Sequence, residues 1–580
     1  MLTKLTIRNF KRFSSVEIEL GSPVVLIGPN NSGKTSAMQA LTLWNTGLKR
    51  WNEKRSGKNT PEKRPGVTVN RRDLVSIPIP DANLLWRDLH VRNVQRVDGQ
   101  QRTSNIRVEI VVEGIANDRP WTCGLEFDYA NEESFYCRPL RTAEGKTPER
   151  MPVPDEAGRE RFAFLPPMSG LAATETRIAQ GAVDVRMGEG RTAEVLRNLC
   201  FQVHAEQEED WTQLATQIEN LFGMEVEPPR YMPQRGEIVM SYLERGTRLD
   251  MSSAGRGLQQ TLLLLAYMYA NPGAVLLLDE PDAHLEILRQ RQTYRLLADV
   301  ARASKSQIIA ASHSEVLLNE AAGRDLVVAF VGQPHRIDDR GSQVLKALRE
   351  IGFEQYCQAE QTGWVLYLEG STDLAILHAL ARRLRHEGAL QVLERPFVKY
   401  VENKPAAVRE HYHGLREAVP QLRGVVVFDR LEREPGDMGL VECLVWRRRE
   451  IENYLCARTT LEAYARASAI EAAGGPLFVN EESDRRLAAM RQAIDEVSSA
   501  LQTLGKGSPW DADIKASNDF LEPLFEGYFG KLGLPDLMAK KNFYELAEYV
   551  PDNEIDPEIS EKLDAIVRVA ESAKPPQNPS

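Results

Sequence analysis

Residues 28–35 read Gly28-Pro29-Asn30-Asn31-Ser32-Gly33-Lys34-Thr35, a full G-x-x-x-x-G-K-T loop, and its flanks restrict what can surround it. The apolar run Val24-Val25-Leu26-Ile27 reads as a strand, and Ser36-Ala37-Met38-Gln39-Ala40-Leu41 as a helix. A glycine loop between a strand and a helix N-terminus turns backbone N–H groups toward one point, which suits a polyphosphate. Gly28 and Gly33 permit close wrapping, with Asn30, Asn31 and Ser32 between them. Lys34 would reach the β- and γ-phosphates, and the Thr35 hydroxyl would sit on Mg²⁺. The pattern predicts a nucleotide, ATP or GTP, on an α/β sheet.

Far downstream, Ala274-Val275-Leu276-Leu277-Leu278-Asp279-Glu280-Pro281 is an apolar strand ending in two carboxylates. Asp279 is placed to hold the Mg²⁺ shell and Glu280 to act as general base for water. A third strand, Gln307-Ile308-Ile309-Ala310-Ala311-Ser312, ends at His313, where an imidazole would meet a γ-phosphate. Before the acidic strand, Ser252-Ser253-Ala254-Gly255-Arg256-Gly257 opens a helix over Thr261–Tyr269. Ser252, Ser253, Gly255 and Gly257 form a second anion-binding helix start, and one nucleotide does not need two.

This segment resembles the signature of the ABC ATPases, in particular the soluble branch with the SMC and RecF proteins. Asp282-Ala283-His284-Leu285 and the opening Leu2–Phe13 are similar to that branch as well. The resemblance covers about residues 1–330 and implies that the signature caps a nucleotide held by a second copy. It places an ABC-type ATPase domain at 1–345, with inserted strands and helices at about 48–235. No sustained heptads follow, so a long coiled-coil arm is not expected.

The chain has 580 residues and a net charge of −11, so it is not a polycation as a whole. Between Lys49 and Arg72, however, nine Lys or Arg residues face only Glu53 and Glu62, with Trp44 and Trp51 at the start. That stretch reads either as a track for a nucleic-acid backbone or as a solvated loop. No apolar run reaches the roughly 18 residues that span a bilayer, and no signal-peptide pattern opens the chain. Six cysteines without C-x-x-C pairing fit buried thiols in a reducing cytoplasm.

The second half carries other chemistry. Trp364-Val365-Leu366-Tyr367-Leu368 ends in Glu369-Gly370, with Asp373 four residues after the Glu and a helix over Leu374–Leu384. Gly424-Val425-Val426-Val427-Phe428 ends in Asp429, and Glu450 and Glu452 follow. Carboxylates at strand ends of one parallel sheet converge on its carboxyl edge, where a divalent cation could bridge them to a phosphodiester. The other reading is an ordinary α/β domain with acidic loops.

These residues resemble a Toprim domain, and an ATPase followed by Toprim is the layout of the OLD (overcoming lysogenisation defect) nucleases, shared by Gabija and PARIS-type anti-phage ATPases. The resemblance implies that Glu369 and Asp373 form the first acidic motif and Asp429 opens the second. It makes Glu452, ahead of Glu450, a further metal ligand, and Lys541, or its neighbour Lys540, the late basic residue. The second motif departs from D-x-D, reading Asp429-Arg430-Leu431. Either Glu432 or Glu434 substitutes, or the site binds metal weakly, or cleavage is lost.

The expected architecture is therefore α/β: an ABC-type ATPase head, a Toprim-like parallel-sheet domain at 360–470, and a mainly helical region at 471–580. The expected activity is ATP-controlled, Mg²⁺- or Mn²⁺-dependent cleavage of nucleic acid, with DNA placed ahead of RNA. Homo-oligomerisation through the heads, with the Toprim domains as a second contact, and a separate defence partner protein complete the expectation. The rivals are a non-cleaving ATP-driven sensor or scaffold and a RecF-like repair ATPase.

Overall fold

The computed structural model describes residues 1–55, 66–97, 100–142, 149–322, 324–337, 351–472 and 479–573. The chain divides between residues 345 and 346 into two compact units.

The first unit is built on two six-stranded sheets. One has the order Phe162–Leu165, Val275–Asp279, Gln307–Ser312, Val24–Ile27, Leu326–Ala329, His335–Arg336, and its first five strands are parallel. The three inner strands are apolar on both faces because a parallel sheet is covered on both sides. Successive side chains point to opposite faces. Leu26, Leu277 and Ile309 pack toward the second sheet and the helix Lys34–Arg55. Leu276, Leu278 and Ile308 pack toward helices Leu196–Glu206, Glu208–Phe222 and Arg256–Ala270.

The second sheet is antiparallel, with Leu2–Phe10 between Phe13–Glu19 and Val108–Ala116, continued by Arg119–Asn131, Ser134–Pro139 and Val67–Asn70. The region expected as an insertion at about 48–235 contributes strands to both sheets. Its strands complete the sheet started by the N-terminal strand, and Phe162–Leu165 within it is the edge of the nucleotide-bearing sheet. A strand with one free edge needs a partner for its backbone groups, and these distant segments supply it. Before the helix Arg256–Ala270 lie two short strands, Glu237–Val239 and Ser241–Glu244, with different partners.

The basic stretch fares differently from its nucleic-acid reading. Residues 56–65 of it lie outside the described residues. Of the rest, Arg50 pairs with Glu53 and Asp73, and Arg71 with Glu133. Trp44 is fully buried, stacked on Trp121 at 6.2 Å, and donates from Nε1 to the Cys123 carbonyl. It is a core residue and offers no face to a base. The Pro-rich end at 574–580 also lies outside the described residues.

The second unit holds a four-stranded parallel sheet in the order Val398–Tyr400, Trp364–Leu368, Arg423–Phe428, Val441–Val445. Val365, Tyr367, Val426 and Phe428 face the helix Pro405–Ala418 through Val408 and Tyr412. Leu366, Leu368, Val425 and Val427 face the other way, into a core shared with Leu377 and Leu380 and with Phe520, Phe525, Leu563 and Ile566. The region after residue 470 is mainly helical, as expected. It belongs to the same hydrophobic core as the sheet, so the boundary drawn at 470 separates nothing. A parallel sheet exposed on one face would leave these leucines and valines in water.

Replacing Trp44 by Ala should cost about 3–5 kcal/mol, the usual penalty for emptying a large aromatic site. Thermal denaturation should show the melting temperature lowered by several degrees. A variant as stable as the wild type would remove Trp44 from the core.

Candidate functional site

In the first unit, the parallel register sets the site. Ile27 lies opposite Ser312, Leu26 opposite Ala311, and Ala311 opposite Asp279. The phosphate loop, the two acids and His313 therefore leave the sheet at one edge, where ligands of such sheets bind. Gly33 has φ +107, and a Cβ there would come within 2.8 Å of the Phe13 ring. At Gly28 a Cβ would meet Phe330 and the Ser32 hydroxyl at 2.9 Å. Both glycines are required by close approach.

Lys34 is buried and donates to the carbonyls of Gly28 and Pro29 at 2.8 and 2.9 Å. Among the described residues the buried Ser32 hydroxyl has no hydrogen-bond partner. Such a loop holds donors and a cation in place for an anion, and its residues fit a nucleotide. Thr35 donates to Asp279 at 2.8 Å. Burial pushes the Asp279 carboxyl up to about 6, against the Thr35 hydrogen bond. These two oxygens fit a hard cation such as Mg²⁺.

Glu280 has φ +51, a left-handed conformation uncommon outside glycine, and its N–H bonds to the Ala311 carbonyl at 2.9 Å. His313 Nδ1 lies 3.6 Å from Glu280 Oε1, so both face the same space. Asp282, buried in the next turn, hydrogen-bonds Ser312 and ties that turn to the neighbouring strand end.

The signature residues Ser252, Ser253 and Gly255 are exposed at the start of the helix Arg256–Ala270, and Gly257 packs near the His284 carbonyl. Sequence reading missed what holds them. Asp250 accepts from the Ser252 N–H and hydroxyl at 2.8 and 2.6 Å, and Arg197, almost fully buried, bonds Asp250 at 3.2 Å. Glu175 in turn accepts from the backbone N–H groups of Arg197 and Asn198. Burial pushes its carboxyl up to about 7.

In the second unit, Glu369 and Asp429 follow adjacent parallel strands, close enough for Glu369 to raise the Asp429 carboxyl. Asn403, which sequence reading passed over, clamps them. Its Nδ2 donates to Glu369 at 2.7 Å, and its Oδ1 accepts from the Asp429 N–H at 3.0 Å. Its φ of +53 in the turn after a strand is tolerated by asparagine. Asp373 accepts from the N–H groups of Glu369 and Gly370 at 3.0 and 3.4 Å and so fixes the loop carrying Glu369.

Burial and the surrounding acids raise every shifted member of this group. Asp373 is pushed up to about 6 by burial and the Glu369 charge. Glu452, 4 % exposed, goes to about 8 through burial, Glu450 and Asp373. Asp429 rises well above the carboxylate range, through burial and Glu369. Repulsion among buried carboxylates is relieved by a proton or by a cation.

Two expectations change here. Lys540, rather than Lys541, stands where its charge reaches Glu452, and it donates to Ser517 and Asn518. Lys541 is exposed, because the next position of a 3₁₀ turn points away. Glu432 and Glu434 are exposed, while Arg430 pairs with Asp513. The acids whose charge acts on Asp429 are Glu369, Asp373 and Glu452. Glu450 is buried and accepts from the Ser517 N–H, so it serves the fold.

Among the described residues no group of three His, Cys, Asp or Glu side chains is arranged to hold a metal ion. The donor chemistry of Glu369, Asp429 and Glu452 fits a hard cation. All six cysteines are free thiols. No described helix is long and apolar enough to cross a membrane.

Residues 1–79 match the family described as "AAA ATPase domain", and residues 204–319 match "AAA domain, putative AbiEii toxin, Type IV TA system". The two spans contain the phosphate loop, the signature, the acid pair and His313, so the first unit carries a phosphate-loop ATPase domain. No curated protein matches in sequence. Similar solved structures include an SMC head domain from Thermotoga maritima, at 18% identity and TM-score 0.32, covering 58% of this chain and 98% of that one. An Smc head domain with an extended coiled coil, bound to the C-terminal domain of ScpA and derived from Pyrococcus furiosus, has 13% identity and TM-score 0.34, covering 60% and 99%. At those scores the likeness decides neither activity nor partner.

The acidic cluster makes stability depend on pH with a definite sign. Asp373 and Glu452 have folded-state values above the ordinary carboxylate range of about 4, so the folded chain binds more protons than the unfolded one between about pH 4 and 8. Stability from this cluster is present below that window and is lost as pH rises through it. In EDTA the melting temperature of the wild type should fall between about pH 6 and 9 more steeply than that of Glu452→Gln. Identical pH profiles would remove Glu452 from the coupled group.

Proposed function

We propose that the chain is an ATP-controlled nuclease of the OLD-like layout, with an ABC-type head in the first unit and a Toprim-like catalytic centre in the second. The observation that carries the second half is the Glu369–Asp429 pair, clamped by Asn403 at a parallel-sheet edge and flanked by Asp373, Glu452 and Lys540. Glu369, Asp429 and Glu452 would hold Mg²⁺ or Mn²⁺, which when bound supplies charge neutralisation and an activated water at a phosphodiester. Asp373 keeps the Glu369 loop in place, Asn403 orients the acid pair, and Lys540 offsets charge at Glu452. The defence setting comes from the family resemblance alone.

In the head, Lys34 and the loop N–H groups bind the phosphates, and Glu280 takes the proton of the attacking water. Exposure of Ser252, Ser253 and Gly255 supports capping of a second copy's nucleotide. Ile287 and Leu288, both exposed just after the acidic turn, support a head-to-head contact. One observation favours the non-cleaving scaffold: Leu431 occupies the place of the second motif acid, and Arg430 beside it is engaged with Asp513.

Glu280→Gln should bind ATP as the wild type does but lose nearly all turnover, and ATP should increase cross-linking between heads. Wild-type turnover in this variant would place the base elsewhere. Wild-type protein should cut plasmid DNA or tRNA with Mg²⁺ or Mn²⁺, and Glu369→Ala should abolish cutting while ATP hydrolysis stays within about twofold, because the sites share no residue. A wild type that cuts neither substrate, with either metal, with or without ATP, would establish the scaffold reading instead.

A further inference from the structure

The second unit contains a groove of ≈ 1080 Å³ that none of the chemistry above uses. One wall is a stripe of the helix Ser371–Arg383: Ser371, Leu374, Ala375, His378, Ala379 and Arg382. That spacing is one face of a helix, of which Leu374 and Ala379 also touch the core. The opposite wall includes Tyr544, Glu545 and Glu548 from the segment Lys540–Tyr549. Both walls begin at the acidic cluster, since Ser371 follows Glu369-Gly370 and Lys540 acts on Glu452. Tyr400 lies at that end too, close enough to feel the Asp373 charge. At 1.5 Å per residue the helical wall runs about 18 Å away from the acids.

The two walls differ in chemistry. Arg382 and Arg385, at the far end, are exposed and make no ion pair among the described residues, while Arg383 is engaged with Asp552. Tyr400 and Tyr544 are 44% and 38% exposed, leaving ring faces open. Glu545 and Glu548 would repel a plain polyanion. An unpaired nucleotide strand has a phosphate edge for the arginines, base faces for the tyrosines, and base N–H donors for Glu548. A duplex offers the tyrosines no base face, because its bases are stacked and paired.

We propose that this groove binds a single-stranded nucleic-acid segment and leads it to the Glu369–Asp429 edge. The inference rests on the reading of the second unit as one that acts on nucleic acid. Deoxyribose and ribose strands share the recognised chemistry, and binding assays on both separate them.

The test is fluorescence anisotropy with the full chain, in EDTA and without ATP, using a short labelled oligonucleotide as single-stranded DNA, single-stranded RNA and duplex DNA. At least one single strand should bind tenfold or more tightly than the duplex. The tighter strand identifies the sugar. The double variant Arg382→Ala, Arg385→Ala should weaken that binding at least tenfold and flatten its dependence on salt between about 50 and 200 mM. Tyr544→Ala should weaken it fivefold or more, within the range for lost base stacking, and Tyr544→Phe should restore it. Melting temperatures equal to the wild type would confirm that these exposed sites leave folding intact.

Equal binding of duplex and single strands, no binding of either single strand, or variants that bind like the wild type would each overturn the groove assignment. They would do so even if the wild type cuts plasmid. Single-strand binding that needs Arg382, Arg385 and Tyr544, in a protein that cuts nothing, would uphold the groove and count against the nuclease reading.

Discussion

Parallel pairing around the strand Val24–Ile27 is the constraint on which the first unit depends. Each strand contributes its carboxyl end to one edge, and the register brings Gly28, Asp279 and Ser312 there together. Thr35 and Asp279 are 244 residues apart in the chain yet 2.8 Å apart in space. That contact exists because hydrogen bonding between three apolar strands leaves no freedom in where their ends fall. The second unit repeats the solution with other chemistry, carboxyl groups replacing the phosphate loop at the sheet edge.

The two sites store electrostatic tension in opposite senses. The phosphate loop gathers donors and a lysine around a space, with Lys34 turned back onto carbonyls and Ser32 without a partner among the described residues. The acidic edge gathers carboxyl groups that repel one another, and with burial this holds Asp429 well above the carboxylate range. Each arrangement is costly to the fold by itself, and each is relieved by a ligand of opposite charge. Sites of this kind are where a protein departs from what stability alone would select.

The signature segment illustrates how an exposed loop is positioned from below. Ser252 is held by Asp250, Asp250 by Arg197, and the helix carrying Arg197 by Glu175. A buried arginine with its charge matched and its donors largely occupied by the Ala172 and Ala173 carbonyls is a rigid support. The region between the phosphate loop and the signature thus sets the presentation of a loop that faces outward.

Contiguous motifs were legible in the sequence alone: the glycine loop with its flanking strand and helix, the acid pair after an apolar strand, Glu369 with Asp373, and Asp429. Their chemistry is local, so spacing within a few residues carries it. What spacing could not show was anything that depends on long-range pairing. Asn403 sits in the turn after the edge strand Val398–Tyr400, and nothing near it in sequence marks it as a clamp. The choice between Lys540 and Lys541 turns on the phase of a single 3₁₀ turn, and Trp44 looked available beside a basic stretch until Trp121 was seen to cover it. The strand Phe162–Leu165 completes the central sheet from inside a region that read as an insertion. Local sequence determines which groups a loop carries and which residues avoid water. Only tertiary structure decides which loops share an edge, because that follows from backbone hydrogen bonds between segments far apart in the chain.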